Sequence, residues 1–169
     1  KNRSCLFHTD AVQAVNYLDL NVEKLGVDLL TLSGSKIEGA GRVGVLYKKK
    51  SVSLAPILFG GDQEMGLRPG TENLAEIVKF SSALKSVQKI KAKEPKRLIK
   101  LRNYFIAKLK NQNQKFSRVL SLSPDQLENF DFDFLINGDL RERLPNNVNV
   151  TFLKIPSDLL VIELSAQGI

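Results

Sequence analysis

The stretch VDLLTLSGSK, residues 27 to 36, constrains this chain most, because an apolar run of strand type stops abruptly in a turn of small polar residues that carries one lysine. An earlier run, CLFHTD at residues 5 to 10, has the same form and reads as a short buried strand ending in polar groups. Val43 to Tyr47 makes a third strand, parallel or antiparallel. Between the first two, Ala11 to Leu25 suits a helical turn or an irregular crossover. Strands joined by such a crossover favour an α/β sheet, and loops at strand ends are where these sheets bind ligands. Glycines at 39 and 41, and at 60 and 61, mark tight turns or close backbone approaches.

From Leu74 the pattern turns helical. Leu74, Ile77, Val78, Leu84, Val87 and Ile90 recur at three- and four-residue spacing, with Thr71 and Glu72 expected to supply the cap and a favourable first-turn charge. Leu98, Leu101, Phe105, Ile106 and Leu109 mark one side of a second helical stretch, and Pro95 either kinks the helix or separates the two. Strand character returns in FDFLING at 132 to 138 and in NVNVTFL at 147 to 153. Ser157 is the expected cap of a last helix, DLLVIELSAQ, that ends at Gly168. A domain boundary is expected near Pro95, giving units 1–94 and 95–169.

Composition narrows the function classes. The formal net charge is +7, but the basic residues concentrate between Lys85 and Lys115 in a helical pattern, which suits a solvated helix face. Aromatic residues make up 7% of the chain and form no stacking platform among the basic ones, so no nucleic-acid partner is expected. A single cysteine and a single histidine allow no internal disulfide and argue against a metal site. No window approaches the roughly 18 consecutive apolar residues of a membrane span, so a cytoplasmic location without membrane contact is the default expectation. The chain starts KNRSC without an initiator methionine and ends close behind a helical pattern, which suggests a piece of a larger protein.

Singly, the polar residues at the turns have ordinary readings. Lys36 reads as a solvated loop lysine, Asp10 as a turn or capping residue, His8 as a core or edge histidine satisfied by backbone, and Cys5 as a buried structural thiol. Together they acquire a chemical sense. A lysine that forms a Schiff base with pyridoxal phosphate needs a carboxylate to keep the pyridine nitrogen protonated, which Asp10 offers. Gln13 can donate to the ring phenolate oxygen, and the hydroxyls and amides of Ser33-Gly34-Ser35 can hold a phosphate.

HTDAVQA at 8 to 14, SGSK at 33 to 36 and GGDQEMGLRPGTEN at 60 to 73, in that order, resemble the pyridoxal-phosphate cysteine desulfurases of the class V aminotransferase family, the NifS and IscS-like group. The corresponding family patterns are His-x-Asp-Ala-x-Gln, Ser-Gly-His-Lys and Gly-Gly-x-Gln-Glu-x-Gly-x-Arg-x-Gly-Thr-Glu-Asn. The resemblance implies part of the large domain of a fold-type I enzyme over 1–94, followed by part of a smaller α+β C-terminal domain over 95–169. It implies that Lys36 carries the cofactor and moves protons, that Asp10 pairs with the pyridine nitrogen, Gln13 with the phenolate, and Ser33 with the phosphate. Ser35 stands where the family has a histidine, so its phosphate contact is altered, and Gly-Ala-Gly-Arg at 39 to 42 replaces Gly-Pro-Lys-Gly.

In the family the Gly-Thr turn reaches the phosphate of the partner subunit, so Thr71 implies a homodimer. The implied reaction converts L-cysteine to L-alanine and leaves sulfur as an enzyme persulfide for a sulfur-acceptor or iron-sulfur scaffold protein. The family's persulfide-forming cysteine lies on a mobile loop expected beyond Ile169, and Cys5 is not that nucleophile, so the isolated chain is expected to be inactive. Two alternatives stay open: another class V enzyme of the selenocysteine lyase kind, and a non-catalytic scaffold of the same fold.

Overall fold

The computed structural model describes residues 5–119, 134–153 and 155–169. The chain divides into two compact units, Lys1–Glu94 and Pro95–Ile169. In the first, β1 (His8–Asp10), β2 (Leu29–Ser33) and β3 (Gly44–Lys48) form a sheet in that order. β1 runs parallel to β2, pairing His8 with Leu29 and Asp10 with Thr31, and β3 is antiparallel to β2, pairing Ser33 with Gly44. That settles the direction of the third strand. The segment between β1 and β2 resolves into compact turns followed by one short helix, α1 (Val22–Leu25). Asn21 starts α1 by accepting from the Glu23 and Lys24 amides, and Gly26 ends it at φ 67°, a left-handed geometry that glycine adopts at no steric cost.

β2 is central because β1 pairs with one side of it and β3 with the other. Leu30 is buried with Ala11 and Val27, and Leu32 packs against both this cluster and a second one made of Val15, Ile37, Ala40, Phe80, Ala83 and Val87. Val15 and Val27 are fully buried, each contributing on the order of 2 kcal/mol of transfer free energy. The first strand departs from the buried strand expected. Among the described residues β1 pairs on one side only, and residues 5 to 7 precede its ladder, so Cys5, Leu6 and Phe7 are exposed and the thiol is not a core group.

Asp28 fastens both edge strands to the start of β2. Its carboxylate accepts from the Phe7 amide at 2.9 Å and from Lys49 Nζ at 2.8 Å. The Lys49 ammonium, and next the Phe7 amide, hold the Asp28 carboxyl below its ordinary value of 3.8. A carboxyl lowered by folding stabilises above its unfolded pKa, and that contribution disappears as pH falls through the folded one. Asp28→Asn should therefore destabilise the protein modestly at neutral pH, since the pair is partly solvated. In urea titrations the gap from wild type should close as pH drops below 3.8. A gap independent of pH would disprove the clamp.

α2 (Leu74–Ile90) is capped by Asn73, whose side chain accepts from the Glu76 amide at 3.2 Å. This corrects the expected cap: Thr71 and Glu72 lie upstream in the loop, and Asn73 occupies the position from which a side chain reaches the free amides of the first turn. The buried face is Phe80, Ala83 and Val87; of the expected stripe Val87 is buried and Leu84 packs against the core, whereas Leu74, Ile77, Val78 and Ile90 are exposed. Apolar residues lie on more than one face of this helix, and periodicity alone does not choose among them.

In the second unit, Pro95 stands in the first turn of α3 (Glu94–Val119), where its missing N–H costs nothing, so it separates two helices rather than kinking one. Leu98, Ile106 and Leu109 are half-buried, while Leu101 and Phe105 point to solvent. β4 (Phe134–Ile136) and β5 (Val150–Phe152) pair antiparallel, with the Phe134 and Phe152 rings 6.3 Å apart. The expected strand residues 132 and 133 lie outside the described residues. α4 (Ser157–Ala166) follows Pro156; Ser157 is its first helical residue, not its cap, and makes no capping bond. Gly168 closes it at φ 78°. Among the described residues no helix is long and apolar enough to cross a membrane.

Candidate functional site

Because β1 and β2 are parallel, their C-terminal ends share one edge of the sheet, and the ladder continues one step past β1 through the Ala11 amide to the Thr31 carbonyl at 3.0 Å. Alternation places His8 and Asp10 of β1 on the same face as Leu29, Thr31 and Ser33 of β2. The opposite face carries Leu30 and Leu32 into the core. His8 Nε2 lies 2.7 Å from Thr31 Oγ1, a contact that requires the shared face. The histidine is thus an exposed edge residue bonded to a side-chain hydroxyl, the diagonal neighbour on its sheet face, and not to backbone as expected.

Asp10 ends β1 and opens a turn, where Oδ1 accepts from the Val12 amide at 2.9 Å. Gln13 is exposed on that turn. Ser33 ends β2, and its Oγ accepts from the Ser35 amide at 3.3 Å while lying 2.9 Å from the Ser35 hydroxyl. Gly34, Ser35 and Lys36 form a single 3-10 turn closed by the Ile37 amide on the Gly34 carbonyl at 3.0 Å. Lys36 is exposed, and the next residue, Ile37, is buried in the core, which fixes the turn's base. Asp10, Ser33, Ser35 and Lys36 therefore gather at one sheet edge, with Gln13 on the adjoining turn.

Two residues hold this edge together: Gly34, inside the SGSK motif, and Asn16, which no motif singled out. Gly34 is buried, its amide donates to the Val43 carbonyl at 2.7 Å, and a methyl there would stand 2.7 Å from the Gly41 carbonyl oxygen. Asn16 Nδ2 donates to the Lys36 carbonyl at 2.6 Å. The one sequence signal for Asn16 is a polar side chain directly after a residue at helical spacing with the core, Val15, in QAVNYL.

The Gly-Ala-Gly-Arg turn meets the start of α2. Glu76 accepts from the Arg42 amide at 3.3 Å and from Lys79 at 2.6 Å, and a side chain at Gly41 would overlap the Glu76 carboxylate. Lys79, and next the Arg42 amide, hold the Glu76 carboxyl below the ordinary carboxylate range. Thr71 stands apart on the 60–73 loop, three residues ahead of α2, and among the described residues no hydrogen bond ties it to the Lys36 turn. That loop turns through left-handed Glu64 and Met65, at φ 50° and 59°, and Gly70, at φ 109°, where the Gly70 amide donates to Gln63 Oε1 at 3.1 Å. A cavity of about 320 Å³, lined by Lys48, Lys50, Ser51, Ser53, Met65 and Leu67 among others, shares no residue with the β1–β2 edge.

The chain is 38% identical over 169 residues to the cysteine desulfurase IscS of Methanosarcina thermophila, covering all of this chain and 37% of that protein. It is 35% identical over 169 residues to the cysteine desulfurase IscS of Dictyoglomus turgidum, covering 38% of it. Among solved structures it matches a NifS-like protein with TM-score 0.79 and 32% identity, over 100% of this chain and 41% of that one. A NifS-like protein from Rickettsia africae matches with TM-score 0.79 and 27% identity, over 98% of this chain and 41% of that one. The chain thus spans well under half the length of the relatives it matches. The mixed helix and sheet architecture agrees with the α/β class expected, and since residues 1–169 match the class-V aminotransferase family throughout, the chain belongs to that family.

Proposed function

We propose that this chain is part of a pyridoxal-phosphate-dependent cysteine desulfurase, contributing the cofactor-holding edge of its large domain in 1–94 and part of its smaller domain in 95–169. The observation that carries the reading is the placing of Asp10 and Ser33 on one face at the ends of two parallel strands, with Lys36 in the turn that follows. The donor set fits the cofactor. An exposed amine, a carboxylate anchored through one oxygen and two hydroxyls 2.9 Å apart match its aldehyde, its pyridine nitrogen and its phosphate.

When bound, pyridoxal phosphate supplies an electron sink for the electron pair left as a proton departs the substrate α-carbon. Lys36 holds the cofactor through its amine and carries that proton. Asp10 keeps a proton on the pyridine nitrogen by its negative charge, and Gln13 donates to the phenolate oxygen. The Ser33 and Ser35 hydroxyls donate to the phosphate. Thr71, on its separate loop, serves the phosphate of a second copy, so the working unit is a homodimer. L-cysteine is the substrate, L-alanine the product, and a sulfur-acceptor or iron-sulfur scaffold protein takes the sulfur.

Treating the intact protein with pyridoxal phosphate and then borohydride should fix the label on Lys36, and cysteine should yield alanine. Asp10→Asn should keep the label yet slow turnover on the order of a hundredfold or more, since the amide supplies no charge to hold the pyridine proton. A wild-type protein labelled on another lysine, or not at all, would overturn the reading.

A further inference from the structure

The Lys36–Ile37 peptide is held from both sides: its N–H donates to the Gly34 carbonyl at 3.0 Å, and its C=O accepts from Asn16 Nδ2 at 2.6 Å. Only the nitrogen of an amide can donate to a carbonyl, so this bond fixes the orientation of the Asn16 side chain. The other end of that amide, Oδ1, is buried without a hydrogen-bond partner. An acceptor buried and unpaired opposes folding. An apolar residue of the same shape would avoid that cost but would also take the donor from the Lys36 carbonyl, so the two effects on stability oppose each other.

We propose that Asn16 is a positioning residue, which locks the turn bearing Lys36 to the turn bearing Asp10 and so sets where the lysine amine can reach. The apolar contacts alone do not do this. Val15 and Ile37 belong to one buried cluster and bring the two turns together, but such packing is non-directional and leaves the peptide plane free to rock. A hydrogen bond is directional and sets that plane. Among the described residues, the Asn16 bond is the one side-chain hydrogen bond between the 10–20 segment and the 33–43 segment. Asp10 is held to β2 by its pairing with Thr31 and by the Ala11 amide on the Thr31 carbonyl, so the Asn16 link acts at the other end, on the Lys36 turn beyond that ladder.

The inference rests on the reading of Lys36 as the cofactor lysine, and the test separates the two. In the intact protein, Asn16→Leu keeps the shape and removes both polar atoms, and Asn16→Ala adds no bulk. Each variant is melted, stripped of cofactor, incubated with pyridoxal phosphate and reduced with borohydride at intervals to follow label on Lys36. The leucine variant should melt close to the wild-type temperature and label Lys36 about tenfold more slowly, the factor expected for one directional hydrogen bond. The alanine variant should label as slowly even if it melts lower, and in both kcat should fall with the KM for cysteine unchanged. A folded variant that labels at the wild-type rate overturns the inference and leaves the reading of Lys36 intact. Loss of folding in both variants also overturns it, making the asparagine structural. Failure of the wild-type protein to label at Lys36 overturns the reading and the inference with it.

Discussion

Lys36→Ala in the intact protein should abolish cysteine turnover and leave no borohydride-fixed cofactor at this site. The amine performs two tasks that alanine cannot, because it is both the covalent anchor and the carrier of the α-proton. The fold should survive, since Lys36 is exposed and makes no ion pair among the described residues, while the turn around it is built from backbone bonds and the buried Ile37. Circular dichroism and melting should therefore match wild type, and residual alanine production by a well-folded variant would show that the wrong lysine has been assigned. Among the described residues, no other lysine or arginine follows the C-terminal end of a strand that runs parallel to β1.

Gly34→Ala should have the largest effect on stability of any single methyl added at the site. Its new Cβ would meet three backbone oxygens, 2.7 Å from Gly41, 3.1 Å from Ala40 and 3.3 Å from Val43, and a backbone cannot swing aside as a long side chain does. Relief requires the 40–43 turn to move off β2, breaking the 2.7 Å bond from the Gly34 amide to the Val43 carbonyl and displacing Ala40 from the core. Overpacking of this kind costs about 2 kcal/mol or more. Gly44→Ala is the control: it sits in β3 with open space around its Cβ position and should be close to neutral. Urea unfolding of the pair decides the matter, and equal midpoints would mean that the turn yields where we hold it to be rigid.

The sequence by itself determined the chemistry of the site and the order of its parts. Strand ends at Asp10 and Ser33, the crossover between them and the small-residue turn at Lys36 are all local signals, written in residues adjacent along the chain. Which surfaces those elements bury was not local. The CLF run has the composition of a core strand but lies at a sheet edge, so Cys5 and its neighbours are exposed, because burial depends on what pairs on each side and not on the strand's own residues. In α2 the stripe at Leu74 and Val78 was as regular as the one at Phe80, Ala83 and Val87, and only contact with Val15, Ile37 and Ala40 chose between them. The same holds for the two supports of the lysine turn. Gly34 lies inside a motif and Asn16 in none, but their partners stand seven and twenty residues away, the Gly41 carbonyl and the Lys36 carbonyl, and a contact made only after the chain has folded back is not written in residues adjacent along it.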